Sequence, residues 1–284
     1  GSALESQERL HFRNLGGKAC LSQEITRNSG TLTIRIRMTD VSKAGGMIIQ
    51  DFDMEVLSQE TVLYRGTTNF GFFTAKALAN QIGIRNSDLA DFEPEKTPEA
   101  PILFEPDAPV SPDDDNSSPN TGMPAKALRM IDKIQVLDLK AGKYEKGYVR
   151  ASKKVDPNEW FFHAHFYQDP VCPGSLGIES FIQLIRFFML KKFNIQPEQY
   201  QARLPMNLPH EWIYRGQIIP ANKEITVHAH IRHARQNEDV FFVQADGALC
   251  VDGICIYEMK DFSLAFEPRY HETVQKAVSS RSGI

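Results

Sequence analysis

The residues best suited to catalysis lie close together, between Trp160 and Glu179. His165 stands among aromatic residues, where burial would lower its pKa and keep the imidazole neutral and basic. Glu179 falls in the first or second turn of a predicted apolar helix, where desolvation would raise its pKa and keep the acid form available. A neutral base and a protonated carboxylic acid are the pair that elimination of water requires.

A third feature of this stretch is the start of the predicted helix, at Pro173 and Gly174. The first N–H groups of a helix have no partner within it, so they can hold a carbonyl oxygen as that oxygen gains charge. Glycine also lets a substrate approach the backbone closely. The stretch therefore predicts proton removal beside a carbonyl group.

Other interpretations of the same residues remain open. His163, His165 and Asp169 together resemble a two-histidine, one-carboxylate metal set. We prefer to interpret Asp169 as fixing a turn through local hydrogen bonds. Ser175 is not in a nucleophile motif, because the GxSxG pattern would require glycine where Pro173 stands. Cys172 either lines a site or packs.

The run HFYQDPVCPGSLGIE, residues 165–179, resembles the HFxxDPVxPGxLGxD motif of the bacterial β-hydroxydecanoyl-thioester dehydratase/isomerase, an enzyme of the hot-dog fold. The likeness covers about residues 128–268. It includes Lys146–Val149, Trp160–Phe162, Gly216–Pro220 and Val251–Tyr257. An acidic, proline-rich segment at residues 93–127 separates two segments with similar apolar patterns. With this layout, the chain resembles the dehydratase region of a polyunsaturated fatty acid synthase, a polyketide-like megasynthase.

The resemblance implies a hydro-lyase that converts β-hydroxyacyl thioesters to trans-2-enoyl products, with trans-2 to cis-3 isomerisation as a further activity of the family. His165 matches the base that removes the α-proton, Glu179 falls on the family's catalytic aspartate, and Gly174 matches the amide that binds the thioester carbonyl. The implied substrate contacts are Phe166, Pro170, Cys172, Ser175 and Gly177.

The resemblance also implies partners. The substrate arrives on the phosphopantetheine arm of an acyl carrier protein, and neither a metal nor a dissociable cofactor is needed. Because the histidine and the acid of one family site come from different hot-dog units, we expect a homodimer or pseudo-dimer. Arg232 and Arg235 are docking candidates for the acidic carrier, with solvated surface charge as the alternative. The alternative function is a non-catalytic acyl-binding or scaffolding domain of a megasynthase.

The pattern of apolar and polar residues predicts the strands and the helix that position these candidate residues. Residues 93–127 concentrate proline and acidic residues and predict a linker. Runs of period two on both sides predict strands, and an offset of 193 positions places Thr33 on Thr226, which indicates an internal repeat. A buried helix is predicted from Gly174 to about Phe193. We predict an α+β tandem hot-dog: an incomplete unit (8–90, later strands only), a complete unit (128–268) and a tail (269–284).

Composition narrows the function classes. The 284 residues carry a net charge of −4, which disfavours a dedicated nucleic-acid binder. The sequence contains no stretch of 18 uncharged apolar residues, so no membrane-spanning helix is predicted. The four cysteines form no CxxC pair, which favours a reducing, cytoplasmic setting. The Gly-Ser start lacks the pattern of a secretory signal and suggests an excised fragment.

Overall fold

The structure is a computed structural model that describes residues 6, 8–79, 81–94, 102–103 and 123–269. Its strands are β1 (Leu10–Leu21), β2 (Leu32–Ala44), β3 (Met47–Ser58), β4 (Thr61–Thr74), β5 (Ile102–Leu103), β6 (Lys133–Asp138), β7 (Tyr148–Lys154), β8 (Tyr200–Arg203), β9 (Pro209–Tyr214), β10 (Glu224–Asn237), β11 (Val240–Val251) and β12 (Ile254–Pro268). Its helices are α1 (Ala75–Ala79), α2 (Trp160–Ala164) and α3 (Gly174–Lys192), with a short 3-10 helix at Lys126–Leu128.

The strands form one antiparallel sheet of twelve strands in the order β2-β3-β4-β1-β9-β12-β11-β10-β7-β6-β5, with β8 paired to β12. Tight β-hairpins join the long strands, since each apolar run of period two is followed at once by a short turn. The predicted α+β class, an antiparallel sheet with few helices, is confirmed. No described helix is both long and apolar enough to cross a membrane.

The core of the second half is helix α3, against which β7, β10, β11 and β12 pack. Phe181 and Phe188 are completely buried, as expected for a helix that is apolar on most of its circumference. Gly247 of β11 makes this approach possible, because a Cβ there would lie 2.7 Å from the ring of Phe181. The helix ends at Lys192, one residue before the predicted end, and its last two lysines suit the negative end of the macrodipole.

The two halves of the sheet share their strand order and two of their bulges. The order β2-β3-β4-β1 matches β10-β11-β12-β9. A bulge follows Met38 in β2 and Ile231 in β10, and another follows Val56 in β3 and Leu249 in β11. Each pair of bulges is separated by the 193 positions found in the sequence. Bulges change the direction of a strand, so the two halves bend alike at these two points.

The halves differ in what covers their apolar faces. On β10 the alternating apolar residues are at most 7% exposed and belong to the buried cluster around α3. They are Ile225, Val227, Ala229 and Ile231. Their equivalents on β2 are between 40% and 65% exposed: Leu32, Ile34, Ile36 and Met38. No described helix of the first half lies over this β2 stripe.

The two halves are joined edge to edge through β1 and β9, from Gly16 opposite Ile213 to Cys20 opposite Pro209. Glycine is required at Gly17, because a Cβ there would lie 2.4 Å from a backbone oxygen of β4.

Part of the predicted linker also contacts the second half. Ile102 and Leu103 pair with β6, so the acidic segment does run along the sheet at this point. Directly before the predicted linker, residues 81–92 contact β10 and β12: the Leu89 carbonyl accepts a hydrogen bond from the His230 ring, and the Ile84 amide donates to the Cys255 carbonyl. The remaining linker residues 95–101 and 104–122, and the tail from residue 270, lie outside the described residues.

Candidate active site

A tight loop between α2 and α3 positions His165. The Val171 amide donates to the His165 carbonyl at 2.9 Å, which closes the loop. Inside it, Phe166 and Asp169 exchange two backbone hydrogen bonds of 3.0 and 3.1 Å. The loop therefore has a defined shape that its own backbone stabilises.

The same loop fixes the protonation of the His165 ring. Its Nδ1 lies 2.9 Å from the carbonyl oxygen of Val171. A carbonyl oxygen only accepts hydrogen bonds, so Nδ1 carries the proton in the neutral ring and Nε2 holds the free lone pair. The ring is half-buried, with the Phe166 ring at a centroid distance of 3.6 Å. This geometry suits a general base that acts through Nε2.

His165 lines a cavity of about 340 Å³ between the two halves of the sheet. Its walls are mostly apolar and comprise Phe12, Arg13, Asn14, Phe70, His165, Phe166, Val171, Cys172, Pro173, Gly174, Ser175, Ile178, Trp212, Tyr214 and Tyr257. The volume is in the range of small-molecule sites. Of the predicted substrate contacts, Phe166, Cys172 and Ser175 line this cavity. Pro170 and Gly177 do not, and Gly177 instead packs against the Tyr257 ring.

Gly174 is the first residue of α3 and also lines the cavity. No side chain caps this end of the helix, and a Cβ at Gly174 would meet nothing within 4 Å. The start of α3 is therefore uncapped and has open space beside it, in the same cavity that His165 lines.

Glu179 lies one turn further along α3, but it does not line the cavity. Its Oε1 accepts a 2.8 Å hydrogen bond from Gln183, which in turn donates to the Leu128 carbonyl and accepts from the Met130 amide. Burial raises the pKa of Glu179, as expected from the sequence. The structure thus places the expected base and the expected acid in different surroundings.

Asp169 is bound by the first half of the sheet. Arg13 of β1 makes two hydrogen bonds to its carboxylate, of 2.7 and 2.8 Å, and the His11 ring lies 3.0 Å from it. As expected, local hydrogen bonds of Asp169 fix the turn, but they come from its backbone, whereas its carboxylate is bound by Arg13 and His11. The carboxylate of the proposed metal set with His163 and His165 is thereby engaged by a guanidinium.

Sequence reasoning missed Arg13. The available signal was the spacing of Arg9, His11 and Arg13, which lie two positions apart and therefore fall on one face of a predicted strand. Nothing in the sequence indicated that Arg13 pairs with a carboxylate 156 positions away.

The ion pair predicts an acid-dependent loss of stability. Hydrogen bonds from Arg13 lower the pKa of Asp169 to about 2, below its unfolded value, so the ionised carboxylate stabilises the fold above about pH 4. This contribution is lost as the pH falls toward 2. Because the carboxyl is partly accessible to solvent, we expect a loss of about 1–2 kcal/mol. Urea unfolding at pH 5 and pH 2.5 should show this loss in the wild type and not in Asp169→Asn; equal pH dependence of the two proteins would contradict it.

The two expected docking arginines lie on β10, away from the cavity lining. Arg232 pairs with Asp246 and Asp261 at 3.1 and 3.3 Å and lies over the Tyr144 ring. Arg235 lies over the Phe242 ring at 4.5 Å. Arg232 is therefore engaged within the chain, which weakens its candidacy for docking.

Comparison with known proteins gives a consistent result. Residues 123–260 match the FabA-like domain family, which confirms the resemblance found in the sequence motif. A polyunsaturated fatty acid synthase subunit of Thraustochytrium sp. is 28% identical, and the match covers 95% of this chain and 19% of that protein. The chain thus spans about a fifth of the length of this curated relative.

Two solved structures are also similar to this chain. The tesB protein of Mycobacterium avium subs paratuberculosis has a TM-score of 0.47 at 10% identity, covering 94% of this chain and 83% of that one. A protein of unknown function with a hot-dog fold from Alicyclobacillus acidocaldarius has a TM-score of 0.42 at 10% identity, covering 95% and 83%.

Proposed function

We propose that this chain dehydrates β-hydroxyacyl chains, carried on the phosphopantetheine of an acyl carrier protein, to trans-2-enoyl thioesters, because residues 123–260 match the FabA-like domain family. The observation that carries the proposal is the His165 ring, whose Nδ1 is held by the Val171 carbonyl while the ring lines an apolar cavity at the start of α3. The other proposed partners of this chain are the remaining domains of a synthase. We place this synthase in the cytoplasm, a reducing setting that agrees with the four free cysteines.

Each residue has a defined part in the proposed step. Nε2 of His165 takes the α-proton, and the electron pair of that C–H bond forms the new double bond. The β-carbon–oxygen bond breaks, and the hydroxyl leaves as water with a proton from Glu179. The Gly174 amide stabilises the thioester oxygen while it carries negative charge. The step needs neither a metal nor a dissociable cofactor.

The cavity suits an acyl chain. It is lined by Phe12 and Phe70 of the first half together with Trp212, Tyr214 and Tyr257 of the second. Burying methylene groups against such walls contributes roughly 0.8 kcal/mol each. Phe166, Cys172 and Ser175 complete the lining near His165 and are the proposed contacts to the substrate head.

The proposal includes a tandem architecture in which the first half is a hot-dog unit that lacks its earlier strands and its helix. The shared strand order and the two pairs of bulges support this equivalence. The exposed β2 stripe supports it independently, because each of its residues corresponds to one that α3 covers in the second half.

Glu179 does not line the cavity that contains His165 of the same unit. It can therefore act on a substrate bound there only if the Glu179 of one unit reaches the His165 cavity of another. We therefore propose that the active species is a dimer in which Glu179 of one copy serves His165 of the other. Glu179→Gln is expected to lower kcat about 100-fold with KM little changed, since the amide has no acidic proton to give. Steady-state kinetics and solution mass would be measured together, with the exposed Glu198→Gln as control. A strictly monomeric, fully active protein would overturn this account of the acid.

The function itself is tested by the reversible hydration of a short trans-2-enoyl thioester, followed as loss of enoyl absorbance. We expect turnover by the wild type and its increase when the same acyl group is presented on an acyl carrier protein. A second candidate, acyl binding without turnover, is favoured by the position of Glu179 outside the cavity. Saturable binding of the thioester by a folded protein that shows no hydration would establish that alternative.

A further inference from the structure

We infer that Arg13 is a positioning residue for His165, through which the first half of the sheet holds the loop that carries the imidazole. The inference rests on the proposed function where it concerns turnover. Where it concerns the loop, it rests on contacts between β1 and residues 165–171 alone.

Arg13 is held as a rigid connector. Its side chain is 8% exposed, and its Nη1 and Nη2 atoms each donate to a different oxygen of Asp169. Nε and Nη2 also donate to Oε1 of Gln217, at 2.9 and 2.7 Å, and Nη1 donates to the Phe12 carbonyl at 2.8 Å. These contacts use all five N–H groups of the guanidinium. Lysine cannot reproduce this fork.

A short chain of hydrogen bonds leads from Asp169 to the imidazole. The Asp169 backbone is paired in both directions with Phe166, the residue after His165. On the other side of the loop, Val171 donates its amide to the His165 carbonyl and accepts Nδ1–H with its own carbonyl. Fixing the Asp169 carboxylate therefore fixes both sides of the loop, and with them the direction of Nε2.

Strand β1 contacts this loop through one face. His11 and Arg13 alternate along the strand, so their side chains point to the same side, and Arg9 comes directly before the strand. Arg9 reaches the Gln168 carbonyl at 3.3 Å, and His11 and Arg13 reach the Asp169 carboxylate. Of these three, Arg13 is the most buried and makes the most bonds.

The first half of the sheet is therefore more than a neighbour of the site. The loop sits at the surface, with Tyr167 87% exposed, and carries its own backbone bonds. Arg13 adds a bidentate interaction with Asp169 that connects this loop to strand β1. Small displacements of a catalytic base are costly, because about 1 Å of misplacement can reduce turnover 100-fold.

The loop is tested first, without any assay of activity. Amide hydrogen exchange of the peptide covering residues 165–171 would be compared in the full-length wild type, Arg13→Met, Arg13→Lys and Asp169→Asn. The matched control is Arg35→Met, which removes an arginine that is 57% exposed on β2. We expect at least 10-fold faster exchange of the loop amides in Arg13→Met and Asp169→Asn, a smaller change in Arg13→Lys, and none in Arg35→Met.

Turnover is tested with the same proteins. Arg13→Met and Asp169→Asn are each expected to lower kcat 10- to 100-fold with KM changed less than twofold. The double variant should lose no more than the worse single variant, because both changes break one connection. A simple loss of folded protein would reduce the active fraction and the unfolding temperature, but it would leave kcat per folded molecule unchanged.

The outcomes separate the two proposals. Suppose that the loop exchanges faster in Arg13→Met but the wild type shows no hydration activity. This result would support the role of Arg13 in positioning the loop and reject the proposed reaction. Wild-type hydration with unchanged loop exchange and unchanged kcat in Arg13→Met would reject the positioning role and keep the reaction. If Arg13→Met fails to fold, Asp169→Asn decides by the same two measurements.

Discussion

Replacing His165 by alanine is expected to lower kcat/KM for hydration of a trans-2-enoyl thioester by about 1000-fold. The reason is that Nε2 of His165 is the proposed base, with Nδ1 bound to the Val171 carbonyl, and the described cavity lining contains no second imidazole and no carboxylate. Enoyl absorbance, followed with wild-type and variant protein at equal concentration, measures the effect.

The control for this prediction is His163→Ala. His163 is exposed on α2, two residues before His165, and does not line the cavity. We expect this variant to retain wild-type activity. Loss of activity in both variants would instead support the metal set of His163, His165 and Asp169. Full activity in His165→Ala would reject His165 as the base.

A lysine at Val227 is expected to destabilise the protein by at least about 3 kcal/mol, whereas lysine at Ile34 should change the free energy of unfolding by less than about 0.5 kcal/mol. The two positions are equivalent in the repeat, 193 positions apart. Val227 is completely buried in the cluster around α3, so a lysine there would lose its hydration without gaining a partner. Ile34 is 65% exposed on β2, where an ammonium group stays in water.

Urea unfolding of both variants measures this difference. An equally large loss in Ile34→Lys would show that something covers the β2 stripe in solution. Solution mass would then identify a second copy of the chain as the cover if the wild type is a dimer and Ile34→Lys a monomer.

Much of the site could be predicted because its chemistry is local in the chain. His165, Cys172 and Gly174 lie within ten consecutive residues, and a tight loop followed by a helix start brings such neighbours together in any fold that contains it. Helix α3 was equally predictable, since nearly continuous apolar composition demands burial and the Pro-Gly start and lysine end mark its limits.

The surroundings of Glu179 were only half predictable. Its position on an apolar helix gave the direction of its pKa shift correctly, because burial depends on the local composition of the helix. Its placement outside the His165 cavity depends on which face of α3 meets which strand. Composition does not contain that information.

The sequence by itself determined the His165 loop, the buried helix, the alternating strands and the apolar pattern that recurs at an offset of 193 positions, because residue type and short-range spacing control backbone preference and burial. Only the tertiary structure decided that β1 pairs with β9, that Arg13 holds Asp169 across 156 positions, and that the β2 stripe is exposed while its β10 equivalent is covered. These are contacts between segments far apart in the chain. Their formation depends on the shape and apolar surface of the whole sheet, which no local pattern specifies.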